Sequence, residues 1–291
     1  MRYGSVCSGV EAATVAWHGL GWEPAFFSEI EAFPRAVLEH HYPDVPVHGD
    51  FTTIKEKEYG SIDLLVGGTP CQSFSIAGLR GGMDDERGNL ALEFVRLAQR
   101  ERPQWLVWEN VPGVLSSNGG RDFGSLLGAL AHIGYGFAYR VLDAQFFGVA
   151  QRRRRVFVVG YLGDWRPPAA VLFESESLSG NPAPHRETRE EVAKCLTTRT
   201  GQAYDPETET LPVTDMSVRT LTPRECERLQ GFPDDYTQIP YRNKAAENCP
   251  KGPRYKAMGN SMAVPVMSWI GKRISDVSGI LLRDDVQVSH G

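Results

Sequence analysis

Long apolar runs are missing from this chain of 291 residues. None approaches the roughly 20 residues needed to cross a bilayer. The N-terminus, Met1-Arg2-Tyr3-Gly4-Ser5, has no signal-peptide core, so a cytosolic protein is expected. Cysteine is sparse and odd in number: Cys7, Cys71, Cys195, Cys226 and Cys249, scattered singly. With no CxxC and no His/Cys cluster, neither a disulfide framework nor a zinc site is supported, and no metal is expected. GxGxxG is absent, so a dinucleotide is not favoured. An excess of basic charge is lacking too. The 31 Lys and Arg against 36 Asp and Glu leave a formal net charge of −5, which taken alone weighs against nucleic acid as a partner.

What is present reads as an ordinary globular chain. Apolar residues make up 41% and charged ones 23%, which argues against the disordered and fibrous classes. The length holds one large domain, or one domain and a small companion. The charge is unevenly spread. Arg152 to Arg155 is a tight basic run, and the stretch from Arg219 to Lys256 is richer in Lys and Arg than in acids. The segment from about Glu174 to Asp215 is acidic. A local basic face on an acidic protein can still hold phosphates.

The first half alternates short β-like and helix-like runs. Strands are expected at Tyr3–Cys7, Ala25–Phe27, Ile62–Val66, Trp105–Trp108, Tyr139–Leu142 and Val156–Val159. Helices are expected at Glu11–Trp17, Phe33–His40, Leu90–Arg100 and Phe123–Ile133. This alternation predicts an α/β domain with a mostly parallel sheet covered on both faces. The pattern stops at Trp165. From there to about Met216 the chain is rich in Pro, Thr, Glu and Gly, and reads as a smaller, irregular unit. A helix returns at Pro223–Leu229, with Thr222 as N-cap, Pro223 at its first position and Gly231 past its end. A last helix is expected from Val264 to Ile274.

Ligands of open parallel sheets bind at the carboxyl ends of the strands. Ser8-Gly9-Val10-Glu11 follows the first strand, Glu29 ends the second, and Asp50 follows a short Val47-His48 run. A turn leading into a helix, with an acid after the second strand, points to a nucleoside-type cofactor. Two further features carry chemistry. Cys71 follows Pro70 where the Ile62 strand gives out into a Gly- and Ser-rich loop, where reactive groups are commonly displayed. Glu109, at the end of the Trp105 strand, supplies a carboxylate near that thiol. Alternation in an extended segment puts Arg153 and Arg155 on one side, and Arg152 and Arg154 on the other, as a solvated basic face.

GGTPCQSFSIAG from Gly67, ENVPG from Glu109, QRRRRVFVVG from Gln151, RTLTPRECERLQGFPDDY from Arg219 and KAMGNSMAVPV from Lys256 follow one another in that order. They resemble the successive motifs of the DNA (cytosine-5)-methyltransferases, over nearly the whole chain. The resemblance implies a Rossmann-like S-adenosylmethionine-dependent methyltransferase domain, residues 1–162 with 257–291. A small target-recognition unit is implied at 163–256. It also implies a methyl transfer to carbon 5 of cytosine in double-stranded DNA, on a base flipped out of the stack. The Cys71 thiolate adds to carbon 6 and makes carbon 5 nucleophilic. Pro70 fixes the backbone before it, and Gly67, Gly68 and Gly78 let the loop close. Glu109 holds or protonates ring nitrogen 3 and the amino group. Arg155 contacts the base, Arg153 supports Cys71 or the backbone, and Gln151 supports the active-site loop.

For S-adenosylmethionine, the resemblance implies Cys7, Ser8, Gly9, Glu11 and Ala12 in the first loop, Glu29 on the ribose and Ile30 against the adenine. Asp50 and Phe51 lie on the adenine edge, Asn89 and Leu90 near the methionine part, with Asn260 and Ser261 closing the pocket. The chain departs from the family in the first loop. Cys7 stands where an aromatic is common and Glu11-Ala12 where two glycines are, so the adenine loses a stacking partner. Gln72, Ser75 and Arg80 are expected on DNA, with Arg219, Arg242 and Lys244 as phosphate contacts. The family pattern implies a monomer. A cognate restriction endonuclease is compatible with it, although the compact recognition region is similar to phage and prophage versions that often stand alone. The same motifs would serve an RNA cytosine methyltransferase, and loss of catalysis would leave a DNA-binding decoy. If specificity resides between Trp165 and Val218, exchanging that segment with a relative's changes the methylated sequence, read by conversion sequencing. An unchanged site rejects the assignment.

Overall fold

The computed structural model describes residues 1–70, 90–173, 213–214 and 217–288; side chains are described through 282 except at 213, 214, 217 and 218. Seven strands form one sheet in the order β3-β2-β1-β4-β5-β7-β6. They are β1 (Arg2–Val6), β2 (Glu23–Ser28), β3 (Val47–His48), β4 (Leu64–Gly67), β5 (Trp105–Asn110), β6 (Tyr135–Asp143) and β7 (Arg154–Leu162). Strands β3, β2, β1, β4 and β5 pair in parallel, whereas β7 runs antiparallel to both β5 and β6. The parallel sheet is therefore broken by one reversed strand. Its register opposes Glu109 to Phe157 and Asn110 to Val156. The start of β7, with its arginines, consequently lies at the carboxyl end of β5.

The central strands are apolar on both faces because helices cover both. Side chains alternate cleanly. Leu65, Leu106, Trp108, Val156 and Val158 face one core, closed by α3 (Leu90–Glu101) and α4 (Arg121–His132). Leu64, Val66, Trp105, Val107, Phe157 and Val159 face the other. That second core is closed by α1 (Ala12–Trp17), α5 (Arg166–Leu172) and α8 (Val264–Val288). Helix α5 falls inside the stretch read from sequence as irregular. Pro167 and Pro168 occupy its first turn, where their missing N–H groups are unneeded. A two-residue pairing, β8 (Val213–Thr214) with β9 (Ser217–Val218), follows.

A third core joins distant parts of the chain. Helices α6 (Pro223–Gln230) and α7 (Lys251–Asn260) pack with α1 and α2 (Ala32–His41) through Cys226, Phe232, Tyr236, Met258, Val10 and Phe33. Helix α6 starts on the expected cap. Thr222 accepts from the Glu225 N–H while Glu225 reaches back to the Thr222 N–H, and Gly231 closes the far end at φ 81°. Helix α7 is not among the helices expected from sequence; its Gly252-Pro253 start and weak amphipathicity hide it. The charged heart of this core is Arg254, whose guanidinium meets Glu227 at 2.9 Å while Glu227 also bonds the Thr237 hydroxyl. Within the stretch 163–256, then, α5 packs on the sheet and α8, and residues from 221 onward pack on α1 and α2.

Helices α1 and α8 approach closely. Trp17 donates its indole N–H to the Met267 carbonyl at 2.8 Å. A Cβ added at Gly271 would lie 2.3 Å from the Trp17 indole nitrogen. Gly271→Val is expected to wedge these helices apart and to destabilise the fold by about 1–3 kcal/mol, the usual cost of overpacking. Urea denaturation measures this, and an unchanged midpoint would show that the contact yields.

Candidate active site

The site lies where the chain leaves β1 for one side of the sheet and later begins β4 on the other, the topological switch point. A cavity of about 900 Å³ opens there, along the carboxyl ends of the strands. That volume is at the large end of small-molecule sites. A second, much smaller cavity of about 40 Å³ lies beneath the β1 turn, lined by Ser8, Glu11, Glu109 and Ser261 among others. It is large enough for a water or two.

One end of the large cavity is built by the turns after β1 and β2. Cys7, Gly9 and Glu11 all have left-handed backbone, at φ 49°, 56° and 63°. This sharp turn carries the Gly9 N–H to the Glu29 carboxylate, 2.8 Å away. The other Glu29 oxygen accepts from the N–H groups of Ile30 and Glu31, each at 2.8 Å. Ser8 bonds the Ser28 N–H and the Ser5 carbonyl, tying the two strand ends together. Glu29 is thus a fixed, acceptor-only group at the cavity wall, and a carboxylate so held suits a vicinal diol. Beside it, Ile30 leaves 74% of its surface exposed on the same wall. Asp50 caps a short 3-10 turn, Phe51–Thr53, by accepting from Thr52 N–H at 3.0 Å, and the Phe51 N–H, at the first position of the turn, has no acceptor within it. Cys7 also faces the cavity. Burial, with Glu29 and Asp50 nearby, pushes its thiol up to about 12, so it stays neutral. A planar base over Ile30, with its ribose on Glu29, fits this wall, and so therefore does S-adenosylmethionine.

Glu11 corrects the sequence reading. It was expected to contact the cofactor, but it points into the protein, 1% exposed, as the N-cap of α1. Its carboxyl group bonds Ser5 and receives the Thr14 N–H at 3.0 Å and the Thr14 hydroxyl at 2.6 Å. Thr14 in turn bonds Tyr3. Ala12, also expected on the cofactor, is buried behind the turn and does not line the large cavity. Ser8 and Ser261 line the small cavity only.

The opposite end is built around Glu109. Arg155 Nε lies 3.1 Å from its Oε1. Burial raises the Glu109 pKa above the usual carboxylate range, while Arg155 and then Arg153 pull it down. Glu109 is thus poised to hold or give a proton. Gly68 makes room for it. A Cβ there would stand 2.9 Å from Glu109 Oε2, and one at Gly67 would stand 2.7 Å from the Val6 side chain. These glycines make room for close packing at the end of the sheet. Thr69 is anchored by the Asn110 side-chain amide at 2.9 Å and the Trp108 indole at 3.0 Å, so Pro70 is presented at the cavity. Arg153, buried, binds the Gly259 and Ser261 carbonyls at 3.1 and 2.7 Å, and holds Asn260 on the cavity wall. Gln151 bonds the Leu229 carbonyl at 2.9 Å, at the junction with α6. Leu90 lines the cavity. Cys71, Gln72, Ser75, Arg80 and Asn89 lie outside the described residues.

The expected phosphate contacts divide. Arg219 is committed to Glu225 through two bonds of 2.8 and 2.7 Å, which hold that carboxyl down at about 2. Lys244 is exposed. Arg242, in the same turn, lines the cavity. Sequence reading missed Thr69, Asn110 as an anchor, and the ion pair of Lys256 with Glu31, whose partners lie 225 positions apart. Only the quoted motifs around Pro70 and Glu109 signalled the first two. Among the described residues no group of metal-ligating side chains is present, and no helix is long and apolar enough to cross a membrane.

Compared with known proteins, residues 1–202 and 173–276 match the family model described as C-5 cytosine-specific DNA methylase. A protein of Escherichia phage P1 named DNA N-6-adenine-methyltransferase is 34% identical across 94% of this chain. This chain spans only 61% of that relative's length. The type II methyltransferase M2.BsuMI of Bacillus subtilis (strain 168) is 31% identical, covering 96% of this chain and 76% of its own. Among solved structures, a mutant DNMT2 of Spodoptera frugiperda superposes with a TM-score of 0.70 at 16% identity, over 94% of this chain and 99% of the other. That likeness bears on the fold alone.

Glu11 yields a pH prediction. Burial raises its pKa above the ordinary carboxylate value, the Ser5 and Thr14 bonds opposing. The folded state then binds a proton the unfolded state has released, so its contribution to stability declines as pH rises above about 4.3. Glu11→Gln has no such proton to lose. Its stability relative to the native chain should improve as the pH rises above about 4.3 in denaturant titrations. A difference independent of pH would show that Glu11 ionises normally.

Proposed function

The chain belongs to the C-5 cytosine-specific DNA methylase family, and from this we propose that it methylates carbon 5 of cytosine in double-stranded DNA. S-adenosylmethionine, when bound, supplies an electrophilic methyl group. The observation that carries the reading is the arrangement of one cavity. A fixed carboxylate for a ribose stands at one end, and a buried acid–arginine pair beside Pro70 at the other.

The chemistry follows from these groups. Carbon 5 of cytosine is a weak nucleophile, so the ring must first be activated at carbon 6. Cys71, directly after Pro70, is the nucleophile of the proposal, because a thiolate adds and leaves readily. Glu109 holds the base at nitrogen 3 and the amino group. Its raised pKa suits it to donate a proton as negative charge develops in the ring. Arg155 steadies the Glu109 carboxyl and takes the other edge of the base. Arg153 fixes the 259–261 carbonyls, and with them Asn260 against the cofactor. A stacked base cannot reach this pocket, so the target is flipped out at a cost of a few kcal/mol. Glu29, Ile30, Asp50 and Phe51 hold the nucleoside part of the cofactor.

A second reading comes from the phage P1 relative, whose name specifies adenine nitrogen 6. An exocyclic amine attacks a methyl donor directly and needs no thiol addition. One experiment separates the readings: transfer of labelled methyl from S-adenosylmethionine to duplex DNA by the native chain and by Cys71→Ser, with the modified base identified by mass. Expected is 5-methylcytosine from the native chain and a loss of about 10³-fold or more in the variant, the scale of losing a covalent catalyst. N6-methyladenine made equally by both would establish the adenine reading, and label appearing only on transfer RNA would establish an RNA substrate.

A further inference from the structure

We propose that the Tyr241–Arg242 turn belongs to the cofactor site, with the Arg242 guanidinium against the adenine face opposite Ile30. This rests on the S-adenosylmethionine reading above. Tyr241 to Lys244 is a two-residue hairpin turn. Tyr241 and Lys244 exchange backbone hydrogen bonds of 3.0 and 3.1 Å, and both central residues, Arg242 and Asn243, have left-handed backbone at φ 52° and 61°. Asparagine tolerates that conformation; arginine rarely adopts it. A strained residue in a turn that lines a cavity is a pointer to use.

The turn is held at the nucleoside end. The Tyr241 ring meets the Phe33 ring edge-on, centroids 5.0 Å apart. Phe33 lies in the first turn of α2, immediately after the Glu29-Ile30-Glu31 segment. Lys256 reaches Glu31 with bonds of 2.8 and 2.7 Å and fixes α7 to the same corner. Tyr241, Arg242, Ile30, Glu31, Phe33 and Lys256 all line the cavity. Glu109 and Arg155, where a flipped base would sit, mark its other end. Arg242 forms no ion pair among the described residues; its guanidinium carbon lies 5.2 Å from the Tyr241 ring centroid.

A planar base has two faces to cover. Ile30 offers an apolar surface to one. Cys7, small and neutral, covers little of the rest. A guanidinium held over a tyrosine ring still has a second flat face, and arginine can stack on a ring plane to plane, whereas a lysine ammonium is a point charge. The departure of the first loop from a large residue at Cys7 is thereby offset from the other side of the cavity.

The test is calorimetric binding of S-adenosylhomocysteine to the full chain without DNA, for the native protein, Arg242→Ala and Arg242→Lys. Duplex DNA affinity is measured in parallel over a range of salt. Expected is a three- to tenfold weaker binding of the probe in Arg242→Ala, on the order of a lost cation–π contact, and no rescue by lysine. DNA affinity and its salt slope should not change. Unaltered probe binding, with weaker DNA binding and a salt slope reduced by about 1, would make Arg242 a phosphate contact and overturn the proposal. Failure of the native chain itself to bind the probe would overturn the cofactor reading, and this inference with it. That outcome is distinct from a variant that binds like the native chain.

Discussion

The contact between Glu109 and Arg155 is the constraint on which the rest of the site depends. A carboxylate removed from water is costly, and removing one partner of a buried pair typically costs about 3–5 kcal/mol because the other charge is stranded. Such a pair adds little stability over an apolar filling, which fits the catalytic role proposed for it. Three structural choices serve it. Strand β7 is reversed, which delivers Arg155 to the carboxyl end of β5 rather than to the far edge of the sheet. Gly68 has no side chain where Glu109 must lie. Alternation along the basic run then turns Arg153 inward as well, and it grips the 259–261 backbone. One ion pair thus sets the direction of a strand, the identity of a glycine and the position of the C-terminal segment.

The nucleoside end works on a different principle. Nothing there is a buried charge pair; Glu29 is fixed by three backbone N–H groups, each from a residue in a turn. The left-handed run at Cys7, Gly9 and Glu11 is what aims the Gly9 N–H, and Glu11 maintains it from beneath by capping α1. Burial raises the pKa of this carboxyl group, while its bonds with Ser5 and Thr14 oppose the shift and fix its direction. The Lys256–Glu31 pair closes the corner from outside. Exposed pairs of this kind contribute about 0–1 kcal/mol, so its effect is on where α7 sits more than on how stable the fold is.

Much of this was legible in the sequence, and the failures have physical causes. The strands could be read because buried parallel strands are short apolar runs; Glu29 and Glu109 stood at strand ends, and Pro70, Glu109 and Asn260 in recognisable motifs. The reversal of β7 could not be read from periodicity, which is the same for either direction. Helix α7 was missed because Gly252-Pro253 reads as loop, and α5 because Pro167-Pro168 marks a helix start only once the helix is known. Glu11 was misassigned because its direction is set by a left-handed φ, and a non-glycine residue gives little warning of that. Arg242 looked like a surface cation until the packing of Tyr241 on Phe33 showed which end of the cavity it occupies.

The same geometry bears on how an acidic chain would hold a polyanion. Along α6 and its flanks the exposed arginines are already matched: Arg219 with Glu225, Arg224 with Asp235, Arg228 with Asp234. Each acid is held below its usual carboxylate range by its arginine, so these pairs stay ionised and present little net field. Arg152 and Arg154, exposed beside the site, form no ion pair among the described residues. Two cations thus stand next in sequence to Arg153 and Arg155, which line the Glu109 pocket. For the proposed reaction this placement favours a phosphate backbone near the flipped base over indiscriminate binding elsewhere, because unpaired cations dominate sequence-independent affinity. A net charge of −5 is then compatible with a DNA substrate for the proposed reaction, because the global balance limits non-specific attachment while local arginines favour one face.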